Sequence, residues 1–261
     1  MTRPSVLITG AGSGIGRALA QEAARRGYAP ILAGRRPEPL EETALTLPVA
    51  ARIVVADILT PEGRGALAAA AGDRLDVLVN NAGTVEVGPL AGQEDAAISR
   101  LIETNLTAPI LLTRDLLPAL RRAKGRVVNV GSVFGDIAYP YFAAYSASKF
   151  GLRGFSDALR RELSGEGVSV TYAAPRATRT GAAGAFGHLV EPLQMTLDTP
   201  EAAAARIWQA IARGEREAFP RGKERLFVLV QRLFPRLVDA SVGAQARHPR
   251  TLAALAAAAA E

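Results

Sequence analysis

The 261-residue chain contains no cysteine and only two histidines, His188 and His248. Disulfide frameworks, thiolate nucleophiles and cysteine-ligated zinc are thereby excluded, and a Ser-His-Asp triad would depend on one of two isolated imidazoles. No metal site is expected. Aromatic residues make up 5% of the chain, and lysine is confined to Lys124, Lys149 and Lys223 among 31 basic residues. No run approaches the roughly 18 uncharged apolar residues of a spanning helix. The opening segment MTRPSVLITG passes straight into a strand-like stretch with no separate hydrophobic signal region. These absences predict a soluble, cytoplasmic protein.

What is present is 49% apolar residues, enough for one substantial core and too few residues for two full domains. The net charge of +6 is concentrated: Arg206 to Arg250 holds ten Lys and Arg against four Asp and Glu. No aromatic stacking platform or Lys/Arg-rich hexamer accompanies that stretch, so nucleic acid is not the expected partner.

Short apolar runs ending in Gly, Asn or Asp alternate with Ala/Leu/Arg stretches of helical period: VLITG, RALAQEAARRG, APILAGRR, IVVAD, LDVLVNNAG. Runs that are apolar at successive positions, such as Val77 to Val79 and Val127 to Val130, suit a sheet covered by helices on both faces. The expected fold class is α/β, a doubly wound, seven-stranded, mostly parallel sheet with helices on both faces. Helices are predicted over Ala96 to Leu120 and Ala143 to Leu163, and strands over Arg126 to Val130, Val168 to Ala173 and, last and short, Glu217 to Phe219. Residues 1–240 form one domain in this reading, with a mobile, apolar-lined flap at about 176–200 and an amphipathic segment at 221–240. An Ala-rich tail follows at 241–261, its end from residue 251 expected to fray.

Between the first strand and first helix lie Thr9, Gly10, Gly12, Gly14 and Gly16. Glycines there let backbone N–H groups approach a diphosphate at the positive helix end. A tight turn is the alternative, and four glycines in seven residues exceed its needs, although the spacing G-x-x-x-G-x-G is not G-x-G-x-x-G. The second strand ends in Gly34-Arg35-Arg36, where an NAD-binding fold would place an acid on the ribose 2′-hydroxyl. Guanidinium groups there can bind a 2′-phosphate that a carboxylate would repel, which favours NADP(H), with NAD(H) as the alternative. Asp57 ends the third strand and Asn80-Asn81-Ala82-Gly83 the fourth, on the carboxyl edge where such folds hold ligands.

Tyr145 and Lys149 stand four residues apart in Y-S-A-S-K, so a helix projects both from one face. Bringing a phenol from a pKa near 10 to about 7 takes about 4 kcal/mol. An ammonium at about 4.5 Å supplies about 3.7 kcal/mol at an effective dielectric of about 20. On that arithmetic the lysine tunes the tyrosine to act as an acid near neutral pH.

T-G-A-G-S-G-I-G at 9–16, N-N-A-G at 80–83, Asn105, Ser132 and Y-S-A-S-K at 145–149 together resemble the classical short-chain dehydrogenase/reductase family over about residues 4–220. The resemblance implies an NAD(P)-dependent oxidoreductase on a Rossmann fold acting on a small-molecule carbonyl or alcohol, usually as a homodimer or homotetramer. By match to the family pattern, Ser132 holds the substrate oxygen and Tyr145 is the general acid/base. Lys149 contacts the nicotinamide ribose and lowers the tyrosine pKa, and Asn105 organises a proton-relay water. The implied cofactor set begins with Gly10, Gly12, Ser13, Gly14, Ile15 and Gly16. It continues with Arg35, Arg36, Asp57 and Ile58, then Asn81, Ala82 and Gly83, then Tyr145 and Lys149, and ends with Pro175, Thr178 and Thr180.

The chain departs from the family pattern in three places. Arg176 replaces the glycine that usually follows Pro175, which questions the local backbone and the carboxamide contacts. Gly131 stands where a serine is frequent. Ser13 is not the basic residue of many NADP-preferring relatives, so NADP(H) rests on Arg35 and Arg36. Arg176 also motivates an alternative function, a non-catalytic NADP(H)-binding or sensor protein. The apolar flap favours an apolar substrate. Three roles stay open for the basic amphipathic segment: a subunit interface, closure over substrate and, least favoured, contact with an anionic membrane surface.

Overall fold

A computed structural model describes residues 3–220 and 222–258, with 182 and 183 described by backbone alone. Over residues 5–80 β1 (Ser5–Thr9), α1 (Gly14–Arg25), β2 (Ala29–Gly34), α2 (Pro37–Leu45), β3 (Arg52–Val55), α3 (Pro61–Ala71) and β4 (Val77–Asn80) alternate. Next come α4 (Asp95–Ile102), α5 (Ala108–Ala123), β5 (Arg126–Val130), α6 (Ala143–Glu162) and β6 (Ser169–Ala173). The chain continues through α7 (Gly187–Val190), α8 (Pro200–Arg213), β7 (Glu217–Ala218), α9 (Glu224–Leu233), α10 (Pro235–Ala246) and α11 (Pro249–Ala258).

The seven strands form one sheet in the order β3-β2-β1-β4-β5-β6-β7, every pair parallel. Successive side chains leave a strand on opposite faces. Val6 and Ile8 of β1 accordingly join Leu19 and Trp208 on the α1/α8 face, while Leu7 joins Leu112 and Leu120 on the other. Burial on both faces is why these strands lack polar alternation. The buried Trp208 ring packs 4.9 Å from Tyr28, and its indole N–H donates to Leu19 O at 3.0 Å, so this polar atom enters the core with a partner.

Between β1 and β4 the strand order reverses, which opens a crevice beyond their carboxyl ends. Thr9 bolts that edge together: its Oγ1 accepts from Asn81 N and Ala82 N, both at 3.0 Å.

The helix expected over Ala96 to Leu120 is interrupted by a π-helical turn at Glu103–Thr107. Apolar periodicity does not register such a change, because it shifts the hydrogen bonds and leaves the buried stripe in place. The segment expected as a flap contains a 3-10 turn and α7, and it buries Phe186, Leu189 and Leu193. The Ala-rich end expected to fray is helical through Ala258, and residues 259–261 lie outside the described residues. Ala254 and Leu255 pack against the cluster of Phe142 and Leu189, and Thr251 is buried with its hydroxyl donating to Gln245 O at 2.8 Å. Helix α10 runs through residue 240, where the sequence placed the start of the tail.

Candidate active site

Two connected clefts line the carboxyl edge of the sheet. The outer one, about 400 Å³, is bounded by the glycine turn and the ends of β2, β3 and β4. A Cβ at Gly16 would lie 2.0 Å from Gly10 O, and Gly10 and Gly14 adopt φ of +65° and +51°. Side chains are therefore excluded where β1 turns into α1. Ser13 makes no side-chain capping bond and the first turn of α1 has no acidic residue, so its N–H groups remain for an anion in the cleft. A dinucleotide fits this chemistry.

Arg35 and Arg36, both exposed, lie on the outer cleft with Asp57 and Ile58. Asp57 is the one carboxylate among the described lining residues, and its Oδ1 accepts from Leu59 N at 3.0 Å. The Asn81 amide donates to Thr9 O at 2.9 Å and Gly10 O at 3.3 Å, so this side chain holds the turn's shape. Gly12, Ala82 and Gly83 line the same cleft, and Thr180 closes over Gly14, at which a Cβ would meet its Cγ2 at 2.8 Å.

The inner cleft, about 180 Å³, shares Ile15, Asn81, Gly83 and Thr180 with the outer one, and Pro175 and Thr178 also line it. Ser132, Tyr145 and Lys149 converge here beneath Phe142, Phe186 and Met195. The helical spacing places Lys149 Nζ 5.6 Å from the Tyr145 ring centroid, with Nζ donating to Val130 O at 3.1 Å.

The sequence-based electrostatics require a correction. Burial raises the Tyr145 phenol above its ordinary value, against a lowering by its hydrogen bond with Ser132. Burial lowers the Lys149 ammonium to about 8. The Coulomb arithmetic omitted the hydration that both groups lose on entering the same dry cavity.

Asn105 does not line either cleft. Buried in the π-helical turn, it accepts from Thr84 N at 2.8 Å and donates to Thr84 O at 2.8 Å and to Ser148 Oγ at 3.2 Å. Ser148 Oγ in turn donates to Tyr145 O at 2.7 Å. Asn105 thus ties the loop after β4 to the helix that carries Tyr145.

Sequence reasoning missed Tyr172. Its buried hydroxyl donates to Ser132 O at 3.0 Å and accepts from Ser132 N at 3.3 Å, fixing the backbone of the serine. Arg153 stacks over this ring at 5.1 Å and pairs with buried Asp136 at 2.9 Å. The available signal was the glycine pair flanking Ser132: a Cβ at Gly131 would meet Tyr172 Cζ at 2.2 Å and one at Gly135 its Oη at 2.2 Å. The tyrosine thus takes the space that a side chain at 131 would need. Gly131→Ala is expected to cost about 1–3 kcal/mol through overpacking, measurable as a lower urea midpoint. An unchanged midpoint would remove Tyr172 from this role.

The second departure is also accounted for. Arg176 pairs with Asp198 at 3.0 Å and Glu224 at 2.9 Å, joining both ends of the flap to the start of α9. Asp198 also bridges to Thr178 and exchanges backbone hydrogen bonds with Ala177 and Arg179, so the flap closes as a loop with a tied base.

The sequence pattern described as short chain dehydrogenase matches residues 4–188. Dehydrogenase/reductase SDR family member 7B of Bos taurus is 38% identical over 187 residues, 65% of this chain and 56% of that protein. 3-Amino-tetrahydro-pyrrolizinone reductase of Xenorhabdus hominickii is 35% identical over 185 residues, 69% of this chain and 63% of that protein. The chain thus spans between half and two-thirds of the length of these curated relatives. Among solved structures, a short-chain dehydrogenase from Sphingobium yanoikuyae in complex with NADPH superposes with a TM-score of 0.77 at 30% identity, covering 90% of this chain and 96% of the other.

Proposed function

This chain belongs to the short-chain dehydrogenase family, and on that premise we propose that it interconverts a carbonyl and a secondary alcohol of an apolar substrate with NADP(H), using Tyr145 as general acid and base. The observation that carries this reading is the convergence of Ser132, Tyr145 and Lys149 on an inner cleft continuous with the glycine-lined one. The nicotinamide cofactor, when bound, supplies or accepts the hydride. Gly10 to Gly16 would hold its diphosphate, and Lys149 stands beside Gly83, which lines both clefts.

As a carbonyl carbon is reduced, negative charge gathers on its oxygen, and two hydroxyls aimed at that oxygen stabilise it. Ser132 holds the oxygen by a hydrogen bond, and Tyr145 Oη gives it the proton, or takes the proton back in the oxidative direction. The Lys149 ammonium stabilises the phenolate left behind. Phe142, Phe186 and Met195 exclude water and favour an apolar substrate. A panel of carbonyls and alcohols followed by NADPH absorbance tests the reading; no turnover across the panel with tight NADPH binding would overturn it. Arg176, which motivated a non-catalytic reading, is engaged by Asp198 and Glu224, and no other observation favours that reading.

The preference for NADP(H) is supported by the two exposed arginines on the outer cleft, which follow Gly34 at the end of β2 where an acidic residue would favour NAD(H). Charge-assisted hydrogen bonds contribute about 1.5–3 kcal/mol each. Arg35→Asp is therefore expected to lower the kcat/KM ratio of NADP to NAD by about 10- to 100-fold. An unchanged ratio would dismiss the phosphate role. A cytoplasmic location and assembly as a homodimer or homotetramer complete the proposal, the latter measurable by light scattering.

A further inference from the structure

Helix α9 has its hydrophobicity arranged opposite to what a water-facing helix requires. Val228 alone is buried on it, in a small cluster with Tyr172, Ala174 and Phe219. Leu226, Phe227, Leu229 and Leu233, followed by Phe234 and Leu237, are each between 51% and 63% exposed. Positions 226, 229 and 233 recur at helical spacing and share one face. Phe234 leaves the helical conformation, with φ of −137° and ψ of 60°, and Pro235 starts α10, so the apolar surface continues around a corner. Isolated exposed leucines are ordinary, whereas six large apolar side chains within twelve residues mark an interaction surface.

The charges around this surface select its partner. Lys223, Arg225 and Arg236 are exposed beside it, and Arg232, more than half exposed, keeps one contact to Asp136. Glu224 is taken up by Arg176. A second copy docking on this face by two-fold symmetry would bring one cation-rimmed patch against another of the same sign. An anionic lipid surface complements them, and the leucine and phenylalanine side chains suit the headgroup–acyl boundary. Among the described residues no helix is long and apolar enough to cross a membrane, so the contact is with the surface.

We propose that the α9–α10 corner docks this protein onto an anionic membrane surface, with Leu226, Phe227, Leu229, Leu233 and Phe234 entering the interface and Lys223, Arg225 and Arg236 meeting lipid phosphates. The inference does not rest on the catalytic reading. The corner is tied to the active-site side of the molecule, because α10 is bonded to the loop before α6, whose Tyr139 stacks on the cleft residue Phe134. There Tyr141 Oη donates to Ala246 O at 2.9 Å, Tyr139 Oη bonds Gln245, and α11 covers the flap.

Flotation of the full chain with vesicles of two parts phosphatidylcholine to one part phosphatidylglycerol, against pure phosphatidylcholine, tests the proposal. Binding is expected to the anionic vesicles only and to weaken as salt is raised. Lys223→Ala and Arg236→Ala should each lower the partition coefficient about five-fold. The triple variant Leu226→Glu/Leu229→Glu/Leu233→Glu should abolish it, with the melting temperature and the turnover of a water-soluble carbonyl unchanged. Failure of the full chain to float, equal flotation with neutral vesicles, or a dimer that the triple variant dissociates would each overturn it, the last by assigning the face to a second copy.

Discussion

Replacing Tyr145 by phenylalanine is expected to lower turnover by about 10² to 10⁴ while leaving NADPH affinity within a few-fold. The substitution removes only the hydroxyl; the ring keeps its edge contacts with Phe134 and Phe142, each with centroids 6.4 Å apart, so the cleft retains its walls. The glycine turn that would hold diphosphate is built by Thr9, Asn81 and α1, none of which depends on the phenol. A stopped assay alone would not separate lost chemistry from lost binding. Fluorescence titration of NADPH beside steady-state turnover does, and equal rates in the two proteins would end the assignment of Tyr145 as the acid. Burial raises the phenol's pKa against the lowering by Ser132, so the proposed proton transfer calls on the Lys149 ammonium to stabilise the phenolate.

Lys149→Met is expected to move activity and stability in opposite directions. Turnover should fall by about 10² or more, since nothing then stabilises the phenolate. Stability of the cofactor-free protein should rise at neutral pH. The ammonium, ordinarily at 10.5, is lowered to about 8 by burial, a penalty of about 3 kcal/mol on the folded state below that pH. The unfolded chain binds the extra proton between about pH 8 and 10.5, so wild-type stability climbs across that window and is lowest beneath it. The gap between variant and wild type should accordingly be widest below pH 8 and close above it. Loss of the Nζ bond to Val130 O trims the gain by about 1 kcal/mol. Urea unfolding of both proteins across this range measures the difference; a destabilised variant at pH 7 would show that the ammonium is better solvated than its burial indicates.

The strand succession and the grouping of Tyr145 with Lys149 in the candidate site were legible because both are written in local spacing. Continuous apolar runs announced a doubly covered parallel sheet. Tyr145 and Lys149 sit one helical turn apart, so identifying the helix placed them together. Glycines at 10, 12, 14 and 16 marked the turn by their spacing, and the turn needs them because a Cβ at Gly16 would lie 2.0 Å from Gly10 O while Gly10 and Gly14 take positive φ. Arg176 and Gly131 read as departures for the same reason that made the rest readable: their partners, Asp198 and Glu224 for one and Tyr172 for the other, lie on distant segments. Asn105 was picked out as a site residue, but its bonds to Thr84 and Ser148 needed the widened turn, which leaves no trace in hydrophobic periodicity.

The amino-acid order therefore determined the sheet, the glycine turn and the set of polar groups available for chemistry, since each follows from contacts within a strand, a turn or a helix. Tertiary structure decided which of those groups lose their water. It raised the phenol, lowered the ammonium, seated Tyr172 behind Ser132, folded α11 over the flap and left the leucines of α9 facing outward. Solvation is a property of the enclosing volume, and that volume is assembled from segments that the chain brings together only on folding.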